Sequence, residues 1–501
     1  MKRHKYIHYI AFAALTLTTV SCKKFLEKTP DLRTQLNSKE KVAQLLTSAY
    51  PKAEYISFTE FSSDNAEDKG VRADYSYAYL GDNGPAWDKV YFWQDVENGV
   101  DIPGSTDNYW NETYLAIASA NTVLKYINEH PNEVDLKPYK GEALLARAYA
   151  HFMLVTLYSK VYKPGTSNDS PGIPFVTDPE ITVSPQYVRG TVAEVYDKIE
   201  KDLKEGFPLI DNSVYKNAPK YHFSTNSASA FAARFYLFKG DFNKVIEFGN
   251  RVLTDNVQTK NTLRPWNSTY QAMVYAAFNT AFTQSSQNSN LLMGEAASVW
   301  GRNDYTRYGL GRVISDNVMF GANVSGGDYA YRATPYVEPS WNTGKFKELF
   351  FESKIGSGTG DPYVMVPLLT ADELIMNRAE AYAVNNQSDL ALQDINTFLS
   401  TRIENYTPAS HTVTLAKIAA FYGIQDPKAG LIKTILDLKR AEFISEGMRW
   451  FDIIRHDLTV KHSKLDANGN QTFIELAPGD PRRVFQLPKP TAKAGLTPNP
   501  R

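Results

Sequence analysis

Residues 141–158 (GEALLARAYAHFMLVTLY) place apolar or small side chains on almost every face of a helix. Such a helix cannot lie on a surface with one side in water, so other elements must enclose it. The rest of the chain supplies them. Trp110, Tyr114, Ile117, Asn121 and Leu124 recur at the spacing of one helical face, in a helix that Pro131 must end. Asn37 with Glu40, and Thr191 with Glu194, have the spacing of capping boxes. Val42, Leu45, Leu46 and Ala49 follow the first; Val192, Val195, Ile199 and Leu203 follow the second. Residues 227–253 and 372–400 each read as two helices around a polar turn, at Gly240-Asp241 and at Asn385-Asn386. Small residues on the first helix and an apolar stripe on the second make these pairs tetratricopeptide-like. The arginines marking the first helices, Arg147, Arg234 and Arg378, lie 87 and 144 residues apart. A regular array of such units would repeat about every 34 residues. The fold class is therefore mainly α: a scaffold of tetratricopeptide-like helix pairs separated by long irregular insertions.

Two such insertions stand out. Residues 255–370 are rich in Asn, Ser, Gly and Tyr and carry Trp266, Trp300 and Trp341; residues 58–107 carry Tyr75, Tyr77, Tyr79, Trp87 and Trp93. Long irregular segments in a large helical protein are functional or disordered. Their aromatic content points to function.

The N-terminus has the pattern of an export signal. Lys2, Arg3 and Lys5 precede a short apolar run over residues 10–20, and Thr19 and Ser21 lead to Cys22, the single cysteine. That run is shorter than the roughly 20 apolar residues a bilayer requires. A cysteine directly after it resembles a bacterial lipoprotein cleavage site, with residues 1–21 removed and Cys22 lipidated. From Cys22 onward 51 Lys+Arg face 55 Asp+Glu, a net charge of −4, which lacks the basic footprint of a nucleic-acid binder. One cysteine also excludes an intrachain disulfide framework and Cys-rich metal sites.

Catalytic signatures are missing: there is no GxSxG, HExxH, P-loop or Rossmann glycine pattern. No cofactor and no metal site is expected. His456 and His462 are spaced across a helix end, and Asp466-Ala-Asn-Gly-Asn470 reads as a turn rather than a calcium loop, because its Gly is fourth and not sixth. Paired acids deserve a test, since they cleave glycosides. Glu442 and Glu446 lie four apart on one predicted helix, and from Glu446 through Arg449 and Asp452 to Arg455 the signs alternate at spacings of three, which favours mutual ion pairing over catalysis.

Taken together, these segments resemble the SusD/RagB family of Bacteroidetes outer-membrane lipoproteins. The resemblance runs from CKKFLEK at Cys22 through the Trp110 helix, LLARAYAHFMLVTLYSKVY with GIPFV, RGTVAEVYDKIEKDL, and NRAEAYA at 377–383. Its most specific piece is RAEFISEGMRWFDIIR, 440–455. The resemblance implies one domain over 22–501, with an N-terminal part (22–225) and a C-terminal part (226–501) that carries the 255–370 insertion. It implies a non-catalytic protein at the cell outer membrane, exposed at the surface and held by the Cys22 lipid. The implied partners are a SusC-like TonB-dependent transporter and an oligosaccharide or, in the RagB branch, a peptide. A helical glycoside hydrolase is the enzymatic alternative. Gly447, read as helical, would permit close helix packing.

Sugar rings offer apolar C–H faces and hydroxyls, which indole and phenol rings, carboxylates, amides and guanidinium groups complement. The aromatic segments combine these in Asp64, Asn65, Trp87 and Trp93, and in Trp300, Tyr305, Arg307 and Trp341. Those eight residues are the ligand-binding candidates.

Overall fold

A computed structural model of the chain describes residues 36–70, 87–97, 99–179, 185–302 and 306–501. Cys22, Tyr75, Tyr77, Tyr79 and Tyr305 lie outside them. The chain divides into two units, Met1–Gln44 and Leu45–Arg501. In the first, Ser38 Oγ accepts the Lys41 N–H at 3.4 Å just ahead of the helix Lys39–Leu46. The cap is thus one residue later than the Asn37 expected, because Ser38 is the last residue before the helix.

The second unit opens with α1 (Ile56–Ser62), the two-residue strand β1 (Glu67–Asp68) and α2 (Trp87–Tyr91). The helical scaffold follows with α3 (Thr106–Glu129), α4 (Lys137–Tyr158) and α5 (Val192–Gly206). Ser105 Oγ accepts from Asn108 N at the start of α3, and the helix stops before Pro131, with Trp110, Ile117, Asn121 and Leu124 buried. Every residue from Gly141 to Tyr158 is buried. Each fully buried Leu, Phe or Met there contributes about 1.5–3 kcal/mol. The Thr191–Glu194 capping box forms at the head of α5 as expected.

Next come α6 (Thr225–Lys239) and α7 (Phe242–Val252), joined at Gly240 in the left-handed region (φ 80°), with Asp241 capping the Lys244 N–H. After the aromatic segment, α8 (Ala371–Val384) and α9 (Ser388–Leu399) form the matching pair, and Asn386 takes the left-handed turn position (φ 58°). The three landmark arginines all tie helix to helix. Arg147 on α4 grips Asp202 on α5 in bidentate fashion at 2.7 and 2.8 Å, Arg234 on α6 pairs with Glu373 on α8, and Arg378 on α8 pairs with Asp394 on α9. These are buried, charge-assisted contacts that fix the relative setting of each pair.

The 255–370 segment is more ordered than its composition suggests. Strands β2 (Asn290–Ala297), β3 (Tyr308–Gly309), β4 (Thr334–Val337), β5 (Ser340–Asn342), β6 (Leu349–Glu352) and β7 (Gly360–Thr370) lie within it. β2, β7 and β6 form an antiparallel sheet in that order, and β4 pairs with β5. The apolar runs NLLMGEAA and YVMVPLL explain the sheet, since β2 is buried along most of its length. β7 feeds α8 through Thr370, whose side chain accepts from Glu373 N.

RAEFISEGMRWFDIIR is not one helix. α10 (Pro427–Glu442) ends inside it, and α11 (Arg449–Arg455) begins after a turn in which Ser445 and Gly447 have φ of 67° and 71°. A Cβ on Gly447 would lie 2.8 Å from Ile56 Cα, so the expected close approach is real but happens at a turn against α1. The charges here pair over long distances instead of along the helix. Glu442 accepts from Arg264, Arg402, Tyr331 and Trp266; Glu446 accepts from Arg264 and Lys345; Arg449 binds Asp64; Arg455 binds Glu380. Only Asp452–Arg455, at 3.4 Å, follows the predicted i,i+3 pattern. The reason is the turn, which removes the common helical face. The chain ends with the hairpin β8 (Val460–Leu465) and β9 (Gln471–Leu476), and Asp466 closes its turn by accepting from Asn468 N and Asn470 N.

Candidate functional site

Strands β1 and β3 pair antiparallel, Glu67 opposite Gly309 and Asp68 opposite Tyr308. This pairing joins the two aromatic segments, and beside it opens a cleft of about 680 Å³, counting space open to solvent. Phe61, Trp87, Trp300, Trp341 and Phe346 supply its rings, with Val299 and Leu310 between them; Lys69, Thr306, Ser340, Asn342, Thr343 and Ser445 supply its polar groups.

Each indole is positioned by its own element. Trp300 follows β2, where Ser298 Oγ accepts its backbone N–H at 2.9 Å and its ring N–H donates to Ser445 O at 3.0 Å. Gly301 is required beside it, since a Cβ there would meet Glu348 N at 2.5 Å. Trp87 opens α2 and lies against Phe61, centroids 5.0 Å apart, while the Trp300 ring stands edge-on to both at 5.6 and 6.4 Å. Trp341 sits in β5, with its backbone N–H on Leu310 O at 3.1 Å and Phe320 6.0 Å away. Trp300 and Trp341 are half-buried, Trp87 nearly fully. The indole N–H groups of Trp87 and Trp341 are buried and have no acceptor among the described residues. Unsatisfied buried donors are rare in folded proteins, and these two, with almost no accessible surface, face protein rather than the open cleft.

Lys69 follows β1, its backbone N–H on Arg307 O at 2.9 Å. Burial pushes its ammonium pKa down to about 8, with Glu67 opposing the shift. Burial pushes the Glu67 carboxyl up to about 7, while hydrogen bonds from the Val313 and Ile314 amides pull the other way.

The remaining candidates lie elsewhere. Asn65 is fully buried and bridges Glu60 and Arg440. Asp64 takes both arms of Arg449 at 2.8 and 3.0 Å; burial favours its neutral form, but Arg449 and Arg440 outweigh this and hold the carboxyl well below the usual range. Arg307 clasps Asp68 with two 2.7 Å bonds. Trp93 is buried, stacked on His462 at 4.4 Å, and donates to Ser62 O. Asp64, Asn65, Trp93 and Arg307 are thus spent on internal contacts and line no part of the cleft. Trp266, from the same loop, is wholly buried among Tyr270, Phe278, Phe282 and Tyr331. Lys69, Phe61 and Phe346 are lining residues that sequence reasoning passed over; a lysine directly after two acids, at the end of a two-residue strand, carries no signal of its own.

The acids considered for catalysis are occupied. Burial raises the Glu442 carboxyl, but Arg402, Arg264 and Lys345 outweigh it and keep the group ionised, so it cannot act as a proton donor. No carboxylate lines the cleft among the described residues, and no group of three metal-ligating side chains occurs among them. His456 pairs with Glu380, and His462 lies between Tyr91 and Trp93.

Two family profiles match this chain. One, described as starch-binding associating with outer membrane, covers residues 24–237; the other, the SusD family, covers residues 262–487. The chain belongs to the SusD/RagB family. Two curated relatives come from Formosa agariphila. SusD-like protein P38 is 28% identical over 165 residues, covering 32% of this chain and 28% of that protein. SusD-like protein P2 is 24% identical over 283 residues, covering 53% of this chain and 49% of that protein. The matched stretches therefore span less than half the length of either relative. Among solved structures, a candidate sugar-binding protein of Bacteroides vulgatus superposes with a TM-score of 0.67 at 18% identity, covering 93% of this chain and 99% of that one. A SusD superfamily protein of Bacteroides thetaiotaomicron superposes with a TM-score of 0.64 at 18% identity, covering 92% of this chain and 99% of that one, and the two likenesses establish the SusD-type fold. The cleft draws on both profile spans of this SusD/RagB chain: Phe61, Lys69 and Trp87 come from the first, and the residues from Val299 to Ser445 from the second.

Proposed function

We propose that this chain is a non-catalytic glycan-capture protein of the outer membrane. It holds oligosaccharide in the aromatic cleft, passes it to a SusC-like TonB-dependent transporter, and is anchored through a lipid on Cys22. The observation that carries the reading is the convergence of Trp87, Trp300 and Trp341 on one open cleft that also offers hydroxyl and amide groups. Rings with few rotatable bonds cover the C–H face of a sugar at little entropic cost. Ser340, Asn342 and Thr343 offer polar groups to its hydroxyls. The family description and the sugar-binding neighbour agree with this reading.

Calorimetric titration of neutral and acidic oligosaccharides tests it. Trp300→Ala and Trp341→Ala should each weaken binding by at least tenfold, within the ~1–3 kcal/mol typical of an interface anchor. Mass spectrometry of the incubated sugars should show no shorter products. Unchanged affinity in both variants, or any cleavage, would sink the proposal.

A further inference from the structure

Lys69 is the only ionisable side chain among the described residues that line the cleft. Its ammonium has no hydrogen-bond or ion-pair acceptor among them. The two acids that precede it in the chain make their hydrogen bonds elsewhere, and Glu67 acts on it only through its charge. Asp68 is clasped by Arg307 and also accepts from Leu465 N and Gly70 N, and Glu67 accepts from Val313 N at 3.1 Å. The same cleft is walled by the rings of Phe61, Trp87, Trp300 and Trp341, and burial disfavours the charged ammonium there. An ammonium in such surroundings loses hydration without gaining a partner, which buried cations normally avoid. Other half-buried lysines of this chain follow that rule: Lys239 reaches Glu200, and Lys244 reaches Glu200 and Asp241. Lys69 does not.

We propose that the missing partner arrives with the ligand: the cleft selects oligosaccharides bearing an anionic group, a uronate carboxylate or a sulfate ester, and Lys69 receives that group. The inference rests on the glycan-capture reading and adds the substrate class. Aromatic faces hold the sugar ring in either case. The charge contact discriminates, because a neutral sugar leaves the ammonium unpaired and an anionic one pairs it in a site of low dielectric. No described carboxylate lines the cleft, and Glu67, the acid that acts on Lys69, is pushed up to about 7 by burial and is mostly neutral at pH 6.5, so little repulsion opposes an acidic ligand there.

The test uses the full-length mature chain and paired probes. Trisaccharides of galacturonate and glucuronate are titrated beside their carboxyl-reduced neutral counterparts, and a 6-O-sulfated neutral trisaccharide beside its unsulfated form, at pH 6.5 and low salt. At least one anionic member should bind tenfold or more tightly than its neutral partner, and the pair that responds identifies the anion as carboxylate or sulfate. Lys69→Met should bring the members of that pair within threefold of one another, while Lys69→Arg, which keeps the charge, should retain the preference. Equal affinity within every pair overturns this inference and leaves glycan capture standing. A preference that survives in Lys69→Met overturns the role of Lys69. Failure of every sugar, charged or neutral, to bind overturns both readings.

Discussion

Trp266 and Trp300 come from the same Asn- and Gly-rich stretch, yet one is fully buried and the other forms a cleft wall. Their indole nitrogens record the difference in part. Trp266 donates inward to Glu442 at 3.2 Å and touches four other rings. Trp266→Ala should therefore cost about 3–5 kcal/mol of folding stability, as large core truncations do. Trp300→Ala and Trp341→Ala should shift the urea midpoint much less while weakening sugar binding. Trp87 is 6% exposed and packed on Phe61, so its loss should register in both measurements. This is where sequence reading reached its limit. Loop composition located the aromatic segments, and three of the eight site candidates do meet in one cleft. It could not separate a core Trp from a lining one, because Phe278, Phe282 and Tyr331, which bury Trp266, are assembled by tertiary contacts that no local pattern encodes. Charge in the cleft gives a pH prediction at the same scale. Lys69, with its pKa near 8, loses its charge as pH rises, and Glu67, near 7, gains a negative one. The other charges facing them are Asp68, clasped by Arg307, and Asp316. Both titrations act in one direction. Affinity for an anionic trisaccharide should be flat from pH 5 to 6.5 and fall steadily between 7 and 9, while that for its neutral counterpart should stay level; titration across this range decides.

At the scale of elements, helices were read well because their signals are local. The Thr191 capping box, the Pro131 stop, the Gly240 turn and the fully enclosed run 141–158 each follow from a few adjacent residues. The break between α10 and α11 was missed for the opposite reason. Locally, RAEFISEGMRWFDIIR has helical periodicity interrupted by one glycine; what bends it is Glu60 on α1, which accepts the Ser445 N–H at 2.6 Å and the Gly447 N–H at 3.0 Å from far away in sequence. Those amides have lost their helical partners, and a buried carboxylate replaces them. The turn also carries the Ser445 carbonyl that orients Trp300, so it links the scaffold to the cleft. Gly447→Ala tests this link. A Cβ there meets both an unfavourable φ of 71° and the Ile56 backbone, so stability should fall by about 2–4 kcal/mol. Any residual folded fraction should bind sugar more weakly, because the Ser445 carbonyl moves. Wild-type stability in urea would show that the backbone does not hold this turn.

The whole molecule poses the question of how a chain with a net charge of −4 beyond Ser21 stays at a membrane. Anionic surfaces do not attract it, and no helix among the described residues is long and apolar enough to cross a bilayer. The family description nevertheless associates such chains with the outer membrane. The lipid proposed on Cys22 would resolve the tension, since each buried CH₂ supplies about 0.8 kcal/mol without any contribution from the fold. Cys22 is placed for it, two residues ahead of the point where the first family profile begins. On the proposed reading, such an anchor stands apart from the scaffold and leaves the cleft free to face ligand. It also makes the two separable by experiment. In cells lacking the transporter, Cys22→Ala should move the protein from the membrane to the soluble fraction, with its melting temperature within about 2 °C of the lipidated form in the same detergent and its sugar affinity unchanged. Retention of the variant with the membrane in those cells would show that some other part of the chain holds it there, and the anchor would have to be sought on the folded surface instead.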